Sequence, residues 1–213
     1  MTTRTDDAVP ARETLPFGPL EIAFDSRLLR PRAWTAAQSS WVAELLPGAP
    51  AGPVLELCSG AGHIGLLAVL DADRDLVCVD VNPAAAERTR ENALAAGLGD
   101  RVETRCAPIA SALHEDERFA AVVADPPWVP AAETGRFPED PLLAIDGGVD
   151  GLTVARECVA AIGRHLLTGG SAVLQLGTTA QVAQLEHLVA AYDGLGVVEV
   201  RTFERGVLAR LTR

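Results

Sequence analysis

Short apolar runs alternate with helical patterns along most of the chain, and this alternation predicts repeated strand–helix–strand units. Core strands are predicted for five of the runs, at residues 54–57, 76–80, 101–105, 119–125 and 171–176. The run at 119–125 is apolar up to its last residue, which is typical of a central parallel strand with both faces covered. A closing hairpin is predicted from two later runs, at 197–203 and 207–211.

Capping residues and apolar stripes mark the helices between these strands. Asn82 is a predicted N-cap, Pro83 suits the first helical position, and Gly97 is expected to end that helix. A later apolar stripe begins at Leu152 and is expected to end at Thr168-Gly169-Gly170. The fold class predicted is α/β: a Rossmann-like, doubly wound, mostly parallel seven-stranded sheet with a C-terminal antiparallel hairpin.

Residues 1–53 are predicted to form an N-terminal extension, and residues 54–213 the main domain. The extension is expected to contain a disordered tail (1–14), an extended segment or hairpin (15–29) and a helix that Thr35 caps (36–46). The connector that follows, residues 47–53, is rich in proline and glycine.

The charge composition restricts the possible functions. All 18 basic residues are arginine, so a P-loop lysine, a Schiff-base lysine and a Tyr-x-x-x-Lys dehydrogenase pair are excluded. A net charge of −11 opposes binding to a phosphate polymer. Arg27, Arg30 and Arg32 form one basic patch, which is interpreted as a solvated surface. A small molecule or a protein is therefore the expected partner, rather than nucleic acid.

No apolar run is long enough to span a bilayer, and the polar, acidic start is unlike a signal peptide, so a cytoplasmic protein is expected. The four cysteines are far apart and contain no C-x-x-C pair, which indicates reduced, buried thiols and no zinc site. No metal ligands are predicted. The cysteines are Cys58, Cys78, Cys106 and Cys158.

The first candidate site is the stretch from Val54 to Gly65. An apolar run with Glu56 near its end leads into glycines spaced G-x-G-x-x-G, at Gly60, Gly62 and Gly65. This spacing is typical of a sharp strand-to-helix turn in which a ligand approaches the backbone closely. Asp80 ends the next run at the distance that a ribose-binding carboxylate needs in a βαβ unit.

The second candidate site is Asp125-Pro126-Pro127-Trp128, directly after the fourth predicted strand. Ligands of open α/β sheets bind where the strand order reverses, so this loop and the glycine turn are expected to face one cleft. The prolines fix the direction of nearby carbonyl groups. An NH₂ group placed there would donate to the Asp125 carboxylate and the Pro126 carbonyl, with Trp128 stacked on its planar group. These four residues are the candidate catalytic residues.

The glycine turn with Glu56 and Asp80, followed by Asp-Pro-Pro-Trp, resembles class I S-adenosylmethionine-dependent methyltransferases, whose amino-methylating members carry Asn/Asp-Pro-Pro-aromatic. Residues 29–35, 140–152, 166–170 and 175–177 are similar to segments of the release-factor (HemK-type) protein-glutamine N-methyltransferases. That family usually has Asn-Pro-Pro-Tyr, and its helical N-terminal recognition domain is expected to be missing because it has no room before residue 53.

This resemblance implies S-adenosylmethionine as the cofactor and methyl transfer to an amide or amino nitrogen. It implies that the glycine turn contacts the donor's amino-acid part, Asp80 its ribose, and Glu56 either its ammonium or the turn itself. Asn82 is interpreted as a helix cap within reach of the adenine, and His63 as a turn residue that points along the next helix. The implied cofactor contacts are Glu56, Cys58, Gly60, Gly62, His63, Ile64, Asp80, Val81, Asn82, Ala107 and Asp125.

Trp34, Trp128 and Phe137 are the candidate substrate contacts, and the loop at 129–143 is expected to shape the choice of acceptor. The acceptor is left open between a protein glutamine, a peptide and a small molecule. Two other enzymes stay as alternatives: an adenine N-methyltransferase, which shares the proline motif, and an NAD-dependent oxidoreductase, which the glycine spacing permits. A regulatory subunit with the same fold is a third. The oligomeric state is not predicted.

Overall fold

The structure, a computed structural model, describes residues 10–213. It begins with a two-stranded antiparallel sheet of β1 (Glu13–Phe17) and β2 (Leu20–Phe24), joined at Gly18-Pro19. The predicted hairpin is therefore present. The expected disordered tail is wrong for residues 13 and 14, because they pair with β2; residues 1–9 of that prediction lie outside the described range.

The remaining helices and strands alternate along the chain. In order they are α1 (Ala36–Leu45), β3 (Val54–Leu57), α2 (His63–Val69), β4 (Leu76–Asp80), α3 (Pro83–Ala95), β5 (Val102–Cys106), α4 (Ile109–Ala112), β6 (Phe119–Ala124), α5 (Leu142–Ile145), α6 (Thr153–His165), β7 (Leu166–Leu176), α7 (Thr179–Val189), β8 (Gly196–Phe203) and β9 (Gly206–Thr212). Short 3₁₀ helices lie at Ala33–Thr35, Leu46–Gly48, Gly99–Arg101 and Ala131–Arg136.

The main sheet has seven strands in the order β5-β4-β3-β6-β7-β9-β8. The first five are parallel, whereas β9 is antiparallel to both β7 and β8. The predicted fold class is thus confirmed. The strand order reverses between β3 and β6, and both strands are buried along their whole length, as their continuous apolar runs require.

Buried side chains form a core on each face of the sheet. On one face, α6 and α7 cover the strands through residues such as Val159, Ile162 and Leu185. On the other face, α1, α2 and the β1–β2 hairpin contribute Trp41, Leu66 and Phe17. The N-terminal extension therefore shares a hydrophobic core with the domain that follows it, and it lies over the glycine-turn side of the sheet.

In the arginine patch, Arg30 is exposed, as the sequence predicts, whereas Arg27 and Arg32 are half-buried. Arg27 and Arg88 both bind the buried carboxylate of Asp25, and the Arg27 hydrogen bond is the main reason why the pKa of Asp25 lies well below its usual value. Arg30 pairs with Glu13, and Arg32 with Asp140. Each arginine of the patch thus has a carboxylate partner from the protein itself.

Three local predictions are wrong. The α6 helix ends at His165, not at Thr168-Gly169-Gly170, because buried Leu166 already pairs with Phe119 of β6 before a register shift. Thr35 does not cap α1 with its side chain; its hydroxyl donates to the Arg32 carbonyl. The thiols of Cys78 and Cys158 are buried, but Cys58 is only half-buried and Cys106 is exposed.

None of the described helices is long and apolar enough to cross a membrane.

Candidate functional site

A cavity of about 650 Å³ opens at the carboxyl ends of β3, β4 and β6. The glycine turn and the Asp125–Trp128 loop both border it, so the two predicted sites share one cavity. The predicted site residues on its wall are Trp34, Cys58, Gly60, His63, Ile64, Asp80, Val81, Asn82, Ala107, Asp125, Pro126, Pro127, Trp128 and Phe137.

Two predicted cofactor contacts, Glu56 and Gly62, are not on this wall. Glu56 is buried behind the turn, where its Oε1 accepts the Gly65 N–H at 2.9 Å and its Oε2 accepts the Cys78 thiol at 3.2 Å. Burial raises the pKa of Glu56 to about 7. Glu56 was expected either to contact the donor's ammonium or to order the turn. Its contacts with Gly65 and Cys78 support the second role.

The glycines of the motif serve different purposes. At Gly60 a Cβ atom would meet nothing within 4 Å, and the backbone there is open to the cavity. At Gly62 and Gly65 a Cβ atom would instead lie 2.6 Å from Thr89 and 2.5 Å from Glu56. Only Gly60 thus fits the expected close approach of a ligand; the other two are required by packing.

Cys58 begins the turn in a left-handed conformation, with φ of 59°. It is the sole described residue other than glycine with a positive φ, and such a backbone costs roughly 1 kcal/mol or more for a residue with a Cβ atom. The nearby Cys158 thiol raises the pKa of Cys58 well above its usual value, with burial adding to the effect. The sequence motif does not reveal this position, because left-handed backbone is typical of glycine.

Asp80 joins the glycine turn to the start of α3. Its Oδ2 accepts the Gly60 N–H and its Oδ1 accepts the Asn82 N–H, each at 2.8 Å. Burial raises the pKa of Asp80 despite these bonds. Each carboxylate oxygen has a second lone pair, so Asp80 retains acceptor capacity toward the cavity that it borders.

Asn82 caps α3, as the sequence predicts: its Oδ1 accepts the Ala84 N–H at 3.0 Å. Its Nδ2 donates to the Arg27 carbonyl at 2.9 Å, which links the N-terminal segment to the cavity wall. Ala107 lies on the wall next to Asp80, whose carbonyl accepts its N–H at 3.0 Å. The neighbouring Cys106 is exposed and does not pack into a core.

Asp125 follows β6 directly, and its N–H donates to the Leu57 carbonyl of β3 at 3.4 Å. Its carboxylate makes no hydrogen bond or ion pair with any residue from 10 to 213, although it borders the cavity. Burial raises the pKa of Asp125 to about 7. This carboxylate is therefore available to bind a donor that enters the cavity.

The position of Trp128 depends on Gly177, which lies in a segment similar to the glutamine methyltransferases, and on Gln181, which is not among the predicted site residues. Gln181 Nε2 donates to the Trp128 carbonyl at 3.0 Å, and its Oε1 accepts the Gly177 N–H at 2.9 Å. A Cβ atom on Gly177 would lie only 2.4 Å from the Trp128 ring. The capping box of Thr178 and Gln181 is the sequence signal that marks this place.

The segment from Asp146 to Gly151 supports the residues after Trp128. Gly147 donates to the Val129 carbonyl at 2.9 Å, and Ala131 donates to the Gly148 carbonyl at 2.8 Å. A Cβ atom on Gly147 would lie 2.6 Å from Gly151, so the glycine-rich sequence is required by this tight packing. The segment from Asp146 to Gly151 thus holds the residues after Trp128 in place.

The N-terminal segment forms another part of the cavity wall. Arg32 Nη2 contacts both oxygens of Asp140, at 2.7 and 2.8 Å, and so joins this segment to the loop at 129–143. His63 borders the cavity, and its ring packs edge-on against Phe17, with 4.8 Å between ring centroids. Burial lowers the pKa of His63 to about 4.

In the described part of the chain, no group of three or more His, Cys, Asp or Glu side chains is arranged to hold a metal ion.

Comparison with known proteins identifies the domain. A family model described as a methyltransferase domain matches residues 54–136. The ribosomal protein uL3 glutamine methyltransferase of Bordetella pertussis is 32% identical over 155 residues, which cover 70% of this chain and 50% of that protein. The release factor glutamine methyltransferase of Mycolicibacterium smegmatis is 33% identical over 191 residues, covering 85% and 64%. The chain thus spans about half to two thirds of these relatives.

Solved structures show the same fold at low sequence identity. The ribosomal protein L11 methylase of Lactobacillus delbrueckii subsp. bulgaricus aligns with a TM-score of 0.65 and 14% identity, over 89% of this chain and 83% of that one. TrmN of Thermus thermophilus aligns with a TM-score of 0.62 and 18% identity, over 84% and 48%. The described chain therefore has the fold of these solved methyltransferases, its residues 54–136 match a methyltransferase domain, and it is similar to the glutamine methyltransferases of ribosomal protein uL3 and of release factor.

Proposed function

We propose that this protein is an N-methyltransferase that transfers a methyl group from S-adenosylmethionine to the side-chain amide of a glutamine in a protein. The observation that carries the proposal is the free Asp125 carboxylate on the same cavity as the glycine turn. The relatives named for ribosomal protein uL3 and release factor support the acceptor class, since both names specify glutamine.

The residues of the cavity fit the proposed donor. A volume of about 650 Å³ lies in the range of cofactor sites. Asp80 retains lone pairs for ribose hydroxyls, and the open side of Gly60 leaves room beside the backbone. Carboxylates on the wall also suit a cationic sulfonium better than the phosphates of a dinucleotide. We therefore assign the donor to the half of the cavity between Gly60 and Ala107.

Asp125, Pro126 and Trp128 would bind the acceptor. An amide NH₂ has two N–H donors, which match the Asp125 carboxylate and the Pro126 carbonyl, while the Trp128 ring contacts the amide plane. The donor supplies a methyl group on a sulfonium, and its leaving thioether is neutral. Positioning of the nitrogen then carries most of the rate, without a strong base. The proton that the nitrogen loses goes to Asp125 or to water.

Asp125 replaces the asparagine that is usual in the glutamine methyltransferases. Its raised pKa of about 7 makes its charge sensitive to pH near neutrality. The ionised form accepts two hydrogen bonds and no longer competes as a donor, so it is the form that binds an NH₂ group. We assign the methyl transfer to the enzyme with Asp125 ionised.

The test is transfer of a labelled methyl group from S-adenosylmethionine into a lysate, followed by separation of proteins, nucleic acids and small molecules. Peptide mass spectrometry of the protein fraction would locate the methylated residue. We expect label on glutamine side-chain nitrogen, absent with Asp125→Ala. Label confined to nucleic acid or to small molecules would refute the acceptor, and binding of NAD without binding of S-adenosylmethionine would refute the enzyme class.

A further inference from the structure

The strand β8 forms one edge of the main sheet, and among residues 10–213 no strand pairs with its outer side. Three apolar side chains of this strand are exposed: Val198 by 56%, Val200 by 40% and Phe203 by 41%. An open edge presents unpaired backbone N–H and C=O groups, and with exposed apolar residues it readily pairs with another strand. β8 is therefore a surface to which a further strand can be added.

The pairing of β8 with β9 determines which backbone groups face the open edge. A two-residue turn joins the strands, and the residues that flank it, Phe203 and Gly206, are paired. Such flanking residues hydrogen-bond to each other through their backbones. Because the direction of these groups alternates along an antiparallel strand, the N–H and C=O of Thr202 and of Val200 point away from β9. Val200 can thus exchange two hydrogen bonds with a strand added at the edge.

The charges beside Val200 are complementary to a second copy of the same strand. Glu199 and Arg201 share one face, where Arg201 Nε donates to Glu199 Oε1 at 2.8 Å, and their side chains are 41% and 40% exposed. The Arg201 guanidinium also stacks over the Trp41 ring, 3.8 Å from its centroid, which fixes its position. If two copies of β8 pair antiparallel about an axis at Val200, each Glu199 lies directly opposite Arg201 of the second copy.

The neighbouring two-fold registers lack this complementarity. An axis at Glu199 or at Arg201 would place two like charges directly opposite each other, which is unfavourable. An axis at Thr202 would place Val200 opposite Glu204 of the second copy. The sequence of the strand therefore favours the axis at Val200, which also brings the two valine side chains together.

The opposite edge strand, β5, differs in exposure although its Glu103 and Arg105 have the same spacing. Arg105 binds Glu117 as well as Glu103, and its side chain is only 17% exposed. None of the exposed large hydrophobic residues lies on β5. The combination of an accessible charge pair and exposed apolar side chains thus distinguishes β8 from the other edge.

We propose that β8 is a dimerisation surface, on which a second copy of this chain adds its own β8 antiparallel to the first, centred on Val200. The interface then contains two Glu199–Arg201 pairs between the copies, and the two main sheets become one continuous sheet. Because the paired segment is short, the interface is small and the dimer is in rapid exchange with the monomer. The inference is independent of the proposed function, since it involves neither a methyl donor nor an acceptor.

The test is sedimentation equilibrium of the full chain in about 0.15 M salt, over concentrations from about 1 to about 500 µM. The weight-average mass of wild type should rise from that of the 22.3 kDa chain toward twice this value. Glu199→Arg alone and Arg201→Glu alone should each weaken the dimer at least about tenfold, because like charges then lie opposite each other. An equimolar mixture of the two variants should dimerise again, since each altered strand carries the charges that the other lacks.

Glu103→Arg, the same substitution on the β5 edge, is the matched control and should leave the dimer unchanged. Val200→Pro removes the outward N–H without removing a hydrogen bond to β9, and it should also give a monomer. This variant keeps the test valid if Arg201→Glu uncovers Trp41 and does not fold. A wild-type protein that stays monomeric at every concentration would overturn the proposal, as would a dimer that persists in Glu199→Arg or a mixture of the two folded charge variants that stays monomeric.

Discussion

Gln181 on α7 and Trp128 after β6 are joined by a hydrogen bond of 3.0 Å from the Gln181 side-chain amide to the Trp128 carbonyl. The other end of the same amide accepts the N–H groups of Gly177 and Thr178. One buried side chain thus connects the end of β7, the start of α7 and the loop that faces the cavity. The position of the proposed acceptor loop depends on this connection.

Replacement of Gln181 should therefore reduce turnover without weakening the binding of the donor. Gln181→Ala removes several buried hydrogen bonds, and we expect a loss of about 1–3 kcal/mol in unfolding free energy. Because Trp128 would lose its support, kcat should fall about tenfold or more. Gln184→Ala, at an exposed position of the same helix, should change neither quantity. A Gln181→Ala enzyme with normal kcat would show that Trp128 is held by other contacts.

Gly177→Ala should act on the same ring by steric contact. The added Cβ atom would lie 2.4 Å from Trp128 Cε3, so the ring or the strand end must move. We expect a lower kcat and a higher KM for the acceptor, with the Kd of S-adenosylhomocysteine within about twofold. Gly196→Ala, where a Cβ atom meets nothing within 4 Å, is the matched control. Equal kinetics for the two variants would contradict the role given to the Trp128 ring.

Arg32→Gln should loosen the loop at 129–143. The guanidinium of Arg32 contacts both oxygens of Asp140, and both residues border the cavity. We expect KM for the acceptor to rise about three- to tenfold, whereas the Kd of S-adenosylhomocysteine should change little. Arg12→Gln breaks exposed contacts with Glu91 and Thr14 away from the cavity and should leave both values unchanged. If the two variants behave alike, the Arg32–Asp140 pair has no part in acceptor binding.

Glu56→Gln should change how stability depends on pH. The pKa of Glu56 is about 7 in the folded protein and about 4.5 ordinarily, so its favourable contribution is complete below pH 4.5 and is lost as pH rises through 7. Relative to the glutamine variant, wild type should lose on the order of 3 kcal/mol of unfolding free energy between pH 4.5 and 8. Denaturant titrations at both pH values measure this difference.

Two features make the Glu56 result specific. The unfolding free energy of Glu56→Gln should still depend on pH in part, because the pKa of Asp125 is also raised to about 7. Glu186→Gln, at an exposed position of α7, should have the same pH dependence of the unfolding free energy as wild type. If the difference in unfolding free energy between wild type and Glu56→Gln is the same at both pH values, Glu56 is ionised in the folded protein.

Local sequence patterns were sufficient to predict the strands that border the cavity. β3 and β4 have the predicted bounds, because their apolar runs are fully buried and end at a turn and at Asp80. The order reversal between β3 and β6 follows from the repeated βαβ units, and it brings Gly60 and Asp125 to one cavity. These features depend on short-range patterns and on general rules of α/β sheets.

Contacts between distant parts of the chain could not be predicted in this way. Gln181 and Trp128 are 53 residues apart, and Arg32 and Asp140 are 108 apart, so no local pattern connects them. The start of β7 at Leu166 was missed because Leu-Leu-Thr-Gly-Gly has the local pattern of a helix end, whereas pairing with β6 decides the structure. The contact between the His63 and Phe17 rings could not be predicted locally, because Phe17 comes from the N-terminal hairpin.

The most direct test of the account is Asp125→Ala, compared with wild type for kcat and for the Kd of S-adenosylhomocysteine. We predict that kcat for methyl transfer to a glutamine-containing protein falls at least about 100-fold, while the Kd changes by less than about fivefold. Asp125→Asn, which keeps an acceptor oxygen, should retain part of the activity and lose its rise through pH 7. An Asp125→Ala enzyme with unchanged kcat would contradict the central claim that this carboxylate binds the acceptor nitrogen.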